Sequence, residues 1–419
     1  MIQLKDLTSY KKKYAHLIVV SGLNSVQNRV CKVQADLDDP EFVTYVVDEL
    51  YQRGARRVDV YWSYRPLLKT IYNYTSRREL CKIYPPELKR IEYEYDEQIA
   101  QLHLESYPPD WMEGIDPAKI SKTKKAHARA ILPFRLKAER EGKEGPWCIA
   151  ALPGKKWAKV IFPKAKSEEE AYLLMWEKVI TCCRLEGDPV KNWQEYNREI
   201  KARTRWLNNL KIKTLHYTSK NGTDLVVGVN KDTLFCGGAH DDVKDAPFNP
   251  NMPAVECFTT PDRLKTEGVV YSTRPLSRDG HVMENFAIRF HKGKIIKVTA
   301  EKGERYLKRL INLEKETHYL GELALVPYDS PVSNTKIIYY NTLFDENAAC
   351  HLAFGYAINT TYKNKIRSLK PKQLKKLGIN GGTIHIDFMI GTSDLNIVAT
   401  TQDNKKVQIF KNGNWVNKI

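Results

Sequence analysis

His385 and Asp387 stand one apolar residue apart within residues 383–394, Thr-Ile-His-Ile-Asp-Phe-Met-Ile-Gly-Thr-Ser-Asp. In an extended strand, side chains two apart project from the same face, so an imidazole and a carboxylate would point together into whatever lies there. That is a metal-ligand spacing. Taken alone it describes a surface strand with a polar face at least as well. Ligands converging from other elements would decide between the two.

Three glutamates and a second histidine in the same half of the chain are the candidates. Glu256 lies in an apolar, proline-bounded segment, residues 253–261, and Glu322 in the apolar run 319–327. A lone ionised carboxylate is costly to bury in such surroundings, so each implies a positive partner if buried. Glu346 stands at an expected helix start within residues 345–355, with His351 further along the same helix. Five residues of ideal helix turn through about 140°, so these two share a site only if Glu346 sits on an unwound first turn.

Each residue has a plainer reading alone, as an edge or ion-pair glutamate or a satisfied histidine. Together, Glu256, Glu322, Glu346, His351, His385 and Asp387 match the oxygen and nitrogen donor set of a two-metal hydrolase. In such a centre two divalent ions about 3.5–4 Å apart share a water, lower its pKa and polarise the scissile carbonyl. One glutamate is left to take the water proton. Glu256 is the choice for that base, with Glu322 and Glu346 open as alternatives.

The elements that must position these residues fall into two regions. A helix over residues 4–21, a strand over 29–35, a helix from Asp39-Pro40 to Gly54 and a strand over 58–62 form an α/β unit with a parallel sheet. A polar, helix-rich stretch follows from Tyr84, with Leu88, Ile91, Tyr95, Ile99 and Leu102 near helical spacing. Residues 121–125 form a basic run on a solvated helix face, and residues 147–151 and 158–162 read as short strands. Ser167 caps a helix whose first turn carries Glu168, Glu169 and Glu170. Gly187-Asp188-Pro189 marks the boundary, giving domains 1–187 and 188–419.

A helix over 190–210 leads into the second domain. Short strands are expected at 224–229, 269–273, 286–290, 294–298 and 336–340, with turns at Gly237-Gly238, Arg278-Asp279-Gly280 and Lys292-Gly293 and a helix over 304–313. The expected fold is therefore an N-terminal α/β domain with a parallel sheet, followed by a mixed, strand-rich α+β domain that carries the metal site.

Composition bounds the function. A chain of 419 residues is long enough for two cores, and 42% hydrophobic content with 23 Tyr, 12 Phe and 8 Trp excludes a disordered chain. The net charge of +17 fits a nucleic-acid partner or a solvated basic surface, and no zinc-finger spacing, heptad or glycine-rich phosphate loop accompanies it. Eight cysteines without a CxxC pair, an N-terminus without a secretory pattern and no run of roughly 18 apolar residues predict reduced thiols in a cytoplasmic enzyme.

Several of these blocks also carry a family resemblance. They are Phe-Asn-Pro-Asn-Met-Pro at 248–253, Glu256 followed by Phe-Thr-Thr-Pro, Thr266-Glu267-Gly268, Gly-Glu-Leu-Ala-Leu-Val-Pro at 321–327, Cys-His-Leu-Ala-Phe-Gly at 350–355 and His-Ile-Asp-Phe-Met-Ile-Gly at 385–391. In this order the blocks resemble the thermophilic-type metalloaminopeptidases, the family of aminopeptidases S and T. The match spans nearly all of the second domain. The resemblance implies an intracellular exopeptidase with two divalent metals, a dimer, and an N-terminal α/β domain that helps enclose the active site. It also implies Glu256, Glu322, Glu346, His351, His385 and Asp387 as ligands. One departure stands out: the family pattern carries a tyrosine seven residues after the first histidine, where this chain has Ile358. Tyr356 lies two residues earlier, on another face of the expected helix.

The expected function is a cytoplasmic, homodimeric aminopeptidase that releases N-terminal residues from peptides with a free N-terminus. Its cofactors are two divalent ions drawn from zinc, cobalt, manganese or magnesium. Two rivals remain at this point. One is a basic nucleic-acid-associated protein, recognisable by salt-dependent retention on DNA without peptidase activity. The other is a family member that keeps the fold but has lost efficient catalysis, the possibility to which Ile358 points.

Overall fold

Period-2 burial defines the first sheet. In Val30–Asp36 (β1), Cys31, Val33 and Ala35 are buried, and in Ala100–Glu105 (β3) burial falls on Ala100, Leu102 and Leu104. With Arg57–Ser63 (β2) and Trp147–Ala151 (β4) they form a parallel sheet in the order β2-β1-β3-β4, extended beyond β4 by the short strand Asn251–Met252. The structure is a computed structural model that describes residues 4–417 other than 107, 110, 242–245, 364, 365, 367 and 368.

Helices cover this sheet because parallel strands need crossovers. Asp39 caps the helix Pro40–Gln52 by accepting a hydrogen bond from the Phe42 amide, and Pro40 occupies the first turn, where its missing N–H costs nothing. Three helices meet through their rings: Tyr14 of Leu4–Leu17 stacks on Phe42 at 5.5 Å, and Trp176 of Glu168–Cys182 meets Phe42 edge-on at 5.6 Å. Ser167 caps the last of these helices from its side-chain oxygen.

Besides the segment that carries Glu346 and His351, three expected elements differ, each for a local reason. Residues 158–161 belong to a helix, Lys155–Ile161, which Phe162 ends and in which Trp157 and Ala158 are buried. Trp157 and Ile161 stand four apart, and so short an apolar run cannot distinguish helix from strand by period. The helix expected to include Ile99 and Leu102 stops at Asp96, because Gln98 adopts a positive φ of 51°, and both residues then serve β3 or its approach. Residues 336–340 form no strand. Lys336 and Tyr340 also have positive φ, and the Asp345 carboxylate accepts the Tyr339 amide that a ladder would otherwise use.

By contacts the chain divides into residues 1–195 with 239–254 and residues 196–238 with 255–419. The cut falls inside the helix Pro189–Asn209 rather than at Gly187, and 239–254 returns to the first unit because Asn251–Met252 pairs with β4. No described helix is long and apolar enough to cross a membrane.

The second unit contains two sheets among its described residues. The larger is antiparallel and built on strands including Ile212–Thr218, Asp224–Val229, Pro261–Tyr271, His281–His291, Lys294–Lys302 and Asn396–Thr401. Asp279-Gly280 and Lys292-Gly293 close its hairpins, all four residues having positive φ. The smaller sheet is an antiparallel meander of Cys257–Thr259 (β5), Leu320–Leu325 (β6), His351–Gly355 (β7) and His385–Met389 (β8). The candidate chemistry lies on this four-stranded sheet.

Candidate metal centre

Register places the candidate residues on one face of the small sheet. Ala353 of β7 lies opposite Glu322 of β6 on one side and Asp387 of β8 on the other, so a carboxylate, a methyl group and a carboxylate stand in one row. Two residues back along β7, His351 shares that face, and two back along β8, so does His385. The intervening positions are small: Ala324 lies opposite His351, and Gly355 lies opposite His385. Large side chains take the other face, where Leu323, Leu325, Leu352, Phe354, Ile386 and Phe388 are buried. A bulge between Leu320 and Glu322 shifts the register by one and sets Leu320 opposite Phe354, and a Cβ at Gly321 would collide with the Tyr356 carbonyl oxygen.

Glu256 and Glu346 arrive from outside the ladder. Glu256 immediately precedes β5, and Glu346 begins the one-turn 3-10 helix Glu346–Ala348. Asn347 ties both approaches together: its Oδ1 accepts the Val255 amide at 2.6 Å, while its Nδ2 donates to the Leu343 carbonyl. Asp345, beside Glu346, forms a buried pair with Arg274 at 3.2 Å and also accepts from the amides of Tyr339 and Asn341. Burial pushes its pKa up to about 6, against the pull of Arg274 and these amides.

The six side chains form three overlapping groups, Glu256–Glu322–His351, Glu322–His385–Asp387 and Glu346–His351–Asp387, each with ligand atoms within 4.8 Å of one another. His385 Nε2 lies 2.8 Å from Glu322 and 2.9 Å from Asp387, and His351 Nε2 lies 3.1 Å from Glu256 Oε2. That Glu256 oxygen is buried and accepts no directed hydrogen bond. Glu322, His351 and Asp387 each belong to two groups, the arrangement expected of ligands around adjacent ions.

The tautomers follow from the partners. His351 Nδ1 faces the carbonyls of Glu346 and Ala349 at 3.0 and 3.2 Å, and His385 Nδ1 faces that of Tyr356 at 2.7 Å. A carbonyl only accepts, so each Nδ1 carries the hydrogen and donates it. The lone pair of each neutral ring is then on Nε2, aimed at carboxylates. Lone pairs facing carboxylates need a cation or a proton between them. Four carboxylates and two neutral imidazoles would be balanced by two divalent cations, so the residues fit that group.

Without a metal ion, the protons carry that charge. Burial works against a charged His351, but the Glu256 contact and the charges of Glu322 and Glu346 outweigh it and push the pKa up to about 10. His385 moves in the same direction, burial being overcome by Asp387 and Glu322. Burial, reinforced by Asp387 and Glu256, holds Glu346 well above the carboxylate range. Asp387 goes the other way, to about 2, because His385 overrides its burial.

The structure thus brings together all six residues singled out in the sequence, on elements that differ in part from those expected. His351 opens a strand rather than lying along a helix, which removes the helical rotation separating it from Glu346. Tyr356 and Ile358 also lie outside any helix: Tyr356 follows β7, and Ile358 precedes the short turn Asn359–Thr361. The helical-face argument about Tyr356 therefore falls. Sequence reasoning passed over Asn347 and the Arg274–Asp345 pair. Asp345-Glu346-Asn347 was a visible polar run, but nothing local showed that its outer members would be buried.

Comparison with known proteins agrees in its extent. The pattern describing the thermophilic metalloprotease (M29) family matches residues 8–415. Aminopeptidase PepS of Streptococcus thermophilus is 36% identical over 97% of each chain. Aminopeptidase AmpS of Bacillus subtilis strain 168 is 37% identical over 96% of this chain and 97% of its own. Among solved structures, wild-type AmpT from Thermus thermophilus superposes with a TM-score of 0.89 at 31% identity, covering 98% of this chain and 100% of that one.

Proposed function

This chain belongs to the thermophilic metalloprotease (M29) family and is a metalloaminopeptidase, and from that premise we propose that Glu256, Glu322, Glu346, His351, His385 and Asp387 hold two divalent ions at its active site. The observation that carries the proposal is the pair of imidazoles whose Nδ1 atoms donate to backbone carbonyls while their Nε2 atoms face the carboxylates of Glu256, Glu322 and Asp387. Zinc, cobalt, manganese and magnesium are the candidate ions, and the mixed oxygen and nitrogen donors suit the first three about equally. When bound, such ions supply Lewis acidity to a peptide carbonyl and lower the pKa of a water.

The chain's own groups do the rest. Glu256, whose buried Oε2 lies 3.1 Å from His351 Nε2, takes the water proton and returns it to the leaving amine. Backbone carbonyls hold both imidazoles in one tautomer, so the proton that leaves when a cation is received is the one on Nε2. A free α-ammonium group pairs with a carboxylate of the cluster, which an acylated N-terminus cannot do. That difference restricts cleavage to the first residue.

The reading extends to a cytoplasmic homodimer. Supporting a second copy, the helix Arg65–Tyr74 buries none of its residues and exposes Leu67, Ile71 and Tyr74 at helical spacing. Sedimentation of the full chain tests this part, with Leu67→Glu expected to shift a dimer towards monomer.

The decisive experiment is a metal titration. Chelator-stripped protein is expected to take up two equivalents per chain and to regain hydrolysis of aminoacyl amides, with N-acetylated substrates left intact. Uptake of a single equivalent would refute the two-ion centre.

A further inference from the structure

We propose that Glu314 is a positioning residue for His385, fixing the entry of the chain into β8. The inference rests on the reading of His385 as a metal ligand. Glu314 Oε1 accepts from the backbone amides of Thr383 and Ile384 at 2.6 and 3.1 Å, and its Oε2 accepts from the Thr383 hydroxyl at 2.8 Å. Two consecutive residues directly before His385 are thus held by one carboxylate.

The other side of the same segment is held by β7 and its continuation. The Tyr356 amide donates to the Ile384 carbonyl at 2.6 Å, and the Tyr356 carbonyl accepts from His385 Nδ1 at 2.7 Å. Ladder pairing of β8 begins only at His385, opposite Gly355, so the amides of Thr383 and Ile384 need acceptors from elsewhere. Glu314 supplies them. Its partners are two amides and a hydroxyl, not a cation, which marks a backbone clamp rather than a surface ion pair.

Glu314 is itself anchored. Buried Thr317 places its hydroxyl 2.7 and 2.6 Å from the carbonyls of Ile311 and Glu314, and Asn380 Nδ2 donates to the carbonyls of Glu316 and Tyr319. The approach is close enough that Gly382 has no room for a side chain. A Cβ there would stand 2.7 Å from Glu314 Oε1 and 2.9 Å from the Glu316 Cβ.

An imidazole set by one carbonyl and one clamped segment loses its aim if the clamp goes. Outer contacts of this kind typically change metal affinity about 10–100-fold. The test measures cobalt and zinc affinity by chelator competition, together with the visible absorption of the cobalt-loaded protein, in wild type, Glu314→Ala, Glu314→Gln, Gly382→Ala and His385→Ala. Unfolding midpoints of the metal-free forms control for folding.

Glu314→Ala is expected to weaken one binding step about 10–100-fold and to alter the cobalt spectrum, affecting the step that His385→Ala removes. Gly382→Ala should follow it. Glu314→Gln keeps an oxygen for both amides and can donate to the Thr383 hydroxyl, so it should stay within about threefold of wild type. If Glu314→Ala does not fold, Thr383→Ala, which removes only one bond, should weaken the same step about fivefold. Wild-type affinity and spectrum in Glu314→Ala would overturn the inference, as would an equal loss in Glu314→Gln. Unchanged metal binding in His385→Ala would instead overturn the ligand reading beneath it, and this inference with it.

Discussion

A histidine with its Nδ1 hydrogen committed to a carbonyl has one lone pair left, and in His351 and His385 that lone pair faces acid. The consequence for the metal-free protein is a pH dependence with a defined sign. The His351 pKa is about 10 when folded, whereas an unfolded histidine titrates near 6.5, so the folded state binds that proton more tightly. This contribution is fully present below about pH 6.5 and is lost as pH rises towards 10. His385 and Glu346, also raised, act in the same direction. Denaturant unfolding of chelator-treated protein should therefore show falling stability across that window, and His351→Gln should flatten the fall. A profile that stays level from pH 6 to pH 10 would contradict this account. At the same scale, Asn347→Ala removes the side chain that holds the approaches to Glu256 and Glu346, and should weaken metal affinity about 10–100-fold, as read by chelator competition.

Elements matter here through what fixes their ends. The turn that delivers Glu346 is locked by Asp345, whose carboxylate receives two backbone amides and Arg274. Removing the cation leaves a buried charge without its partner, a change that typically costs about 3–5 kcal/mol. Arg274→Met is thus expected to lower unfolding free energy by about 3 kcal/mol, measured with metal present and absent. A change under about 1 kcal/mol would mean the pair is not structural. The elements best read from sequence were those with unbroken period, such as β1, β2 and the capped helices Pro40–Gln52 and Glu168–Cys182. Those misread depended on a short apolar run, at Trp157 and Ile161, or on a positive φ that no residue type announced, at Gln98, Lys336 and Tyr340.

For the whole molecule, metal binding and stability are linked, because the six residues come from segments between Glu256 and Asp387 that meet only in the folded unit. Saturation at 100 times the dissociation constant adds about 2.7 kcal/mol per ion. Hydrogen exchange should localise the gain to residues 255–258, 320–325, 346–355 and 383–389, and a gain absent from those segments would argue that the ions bind elsewhere.

The amino-acid sequence by itself determined that the chain holds an α/β region and a strand-rich region, and that acids and histidines sit in runs too apolar to leave them unpartnered. It also carried the family. Only the tertiary structure decided that these residues share one point. Glu322, Ala353 and Asp387 come from three strands, and their common row depends on the register of β6, β7 and β8. A slip of one residue would turn either carboxylate to the opposite face, and register is set by long-range pairing and by the packing of Leu323, Leu352, Phe354 and Phe388 beneath. Neither is written in local sequence.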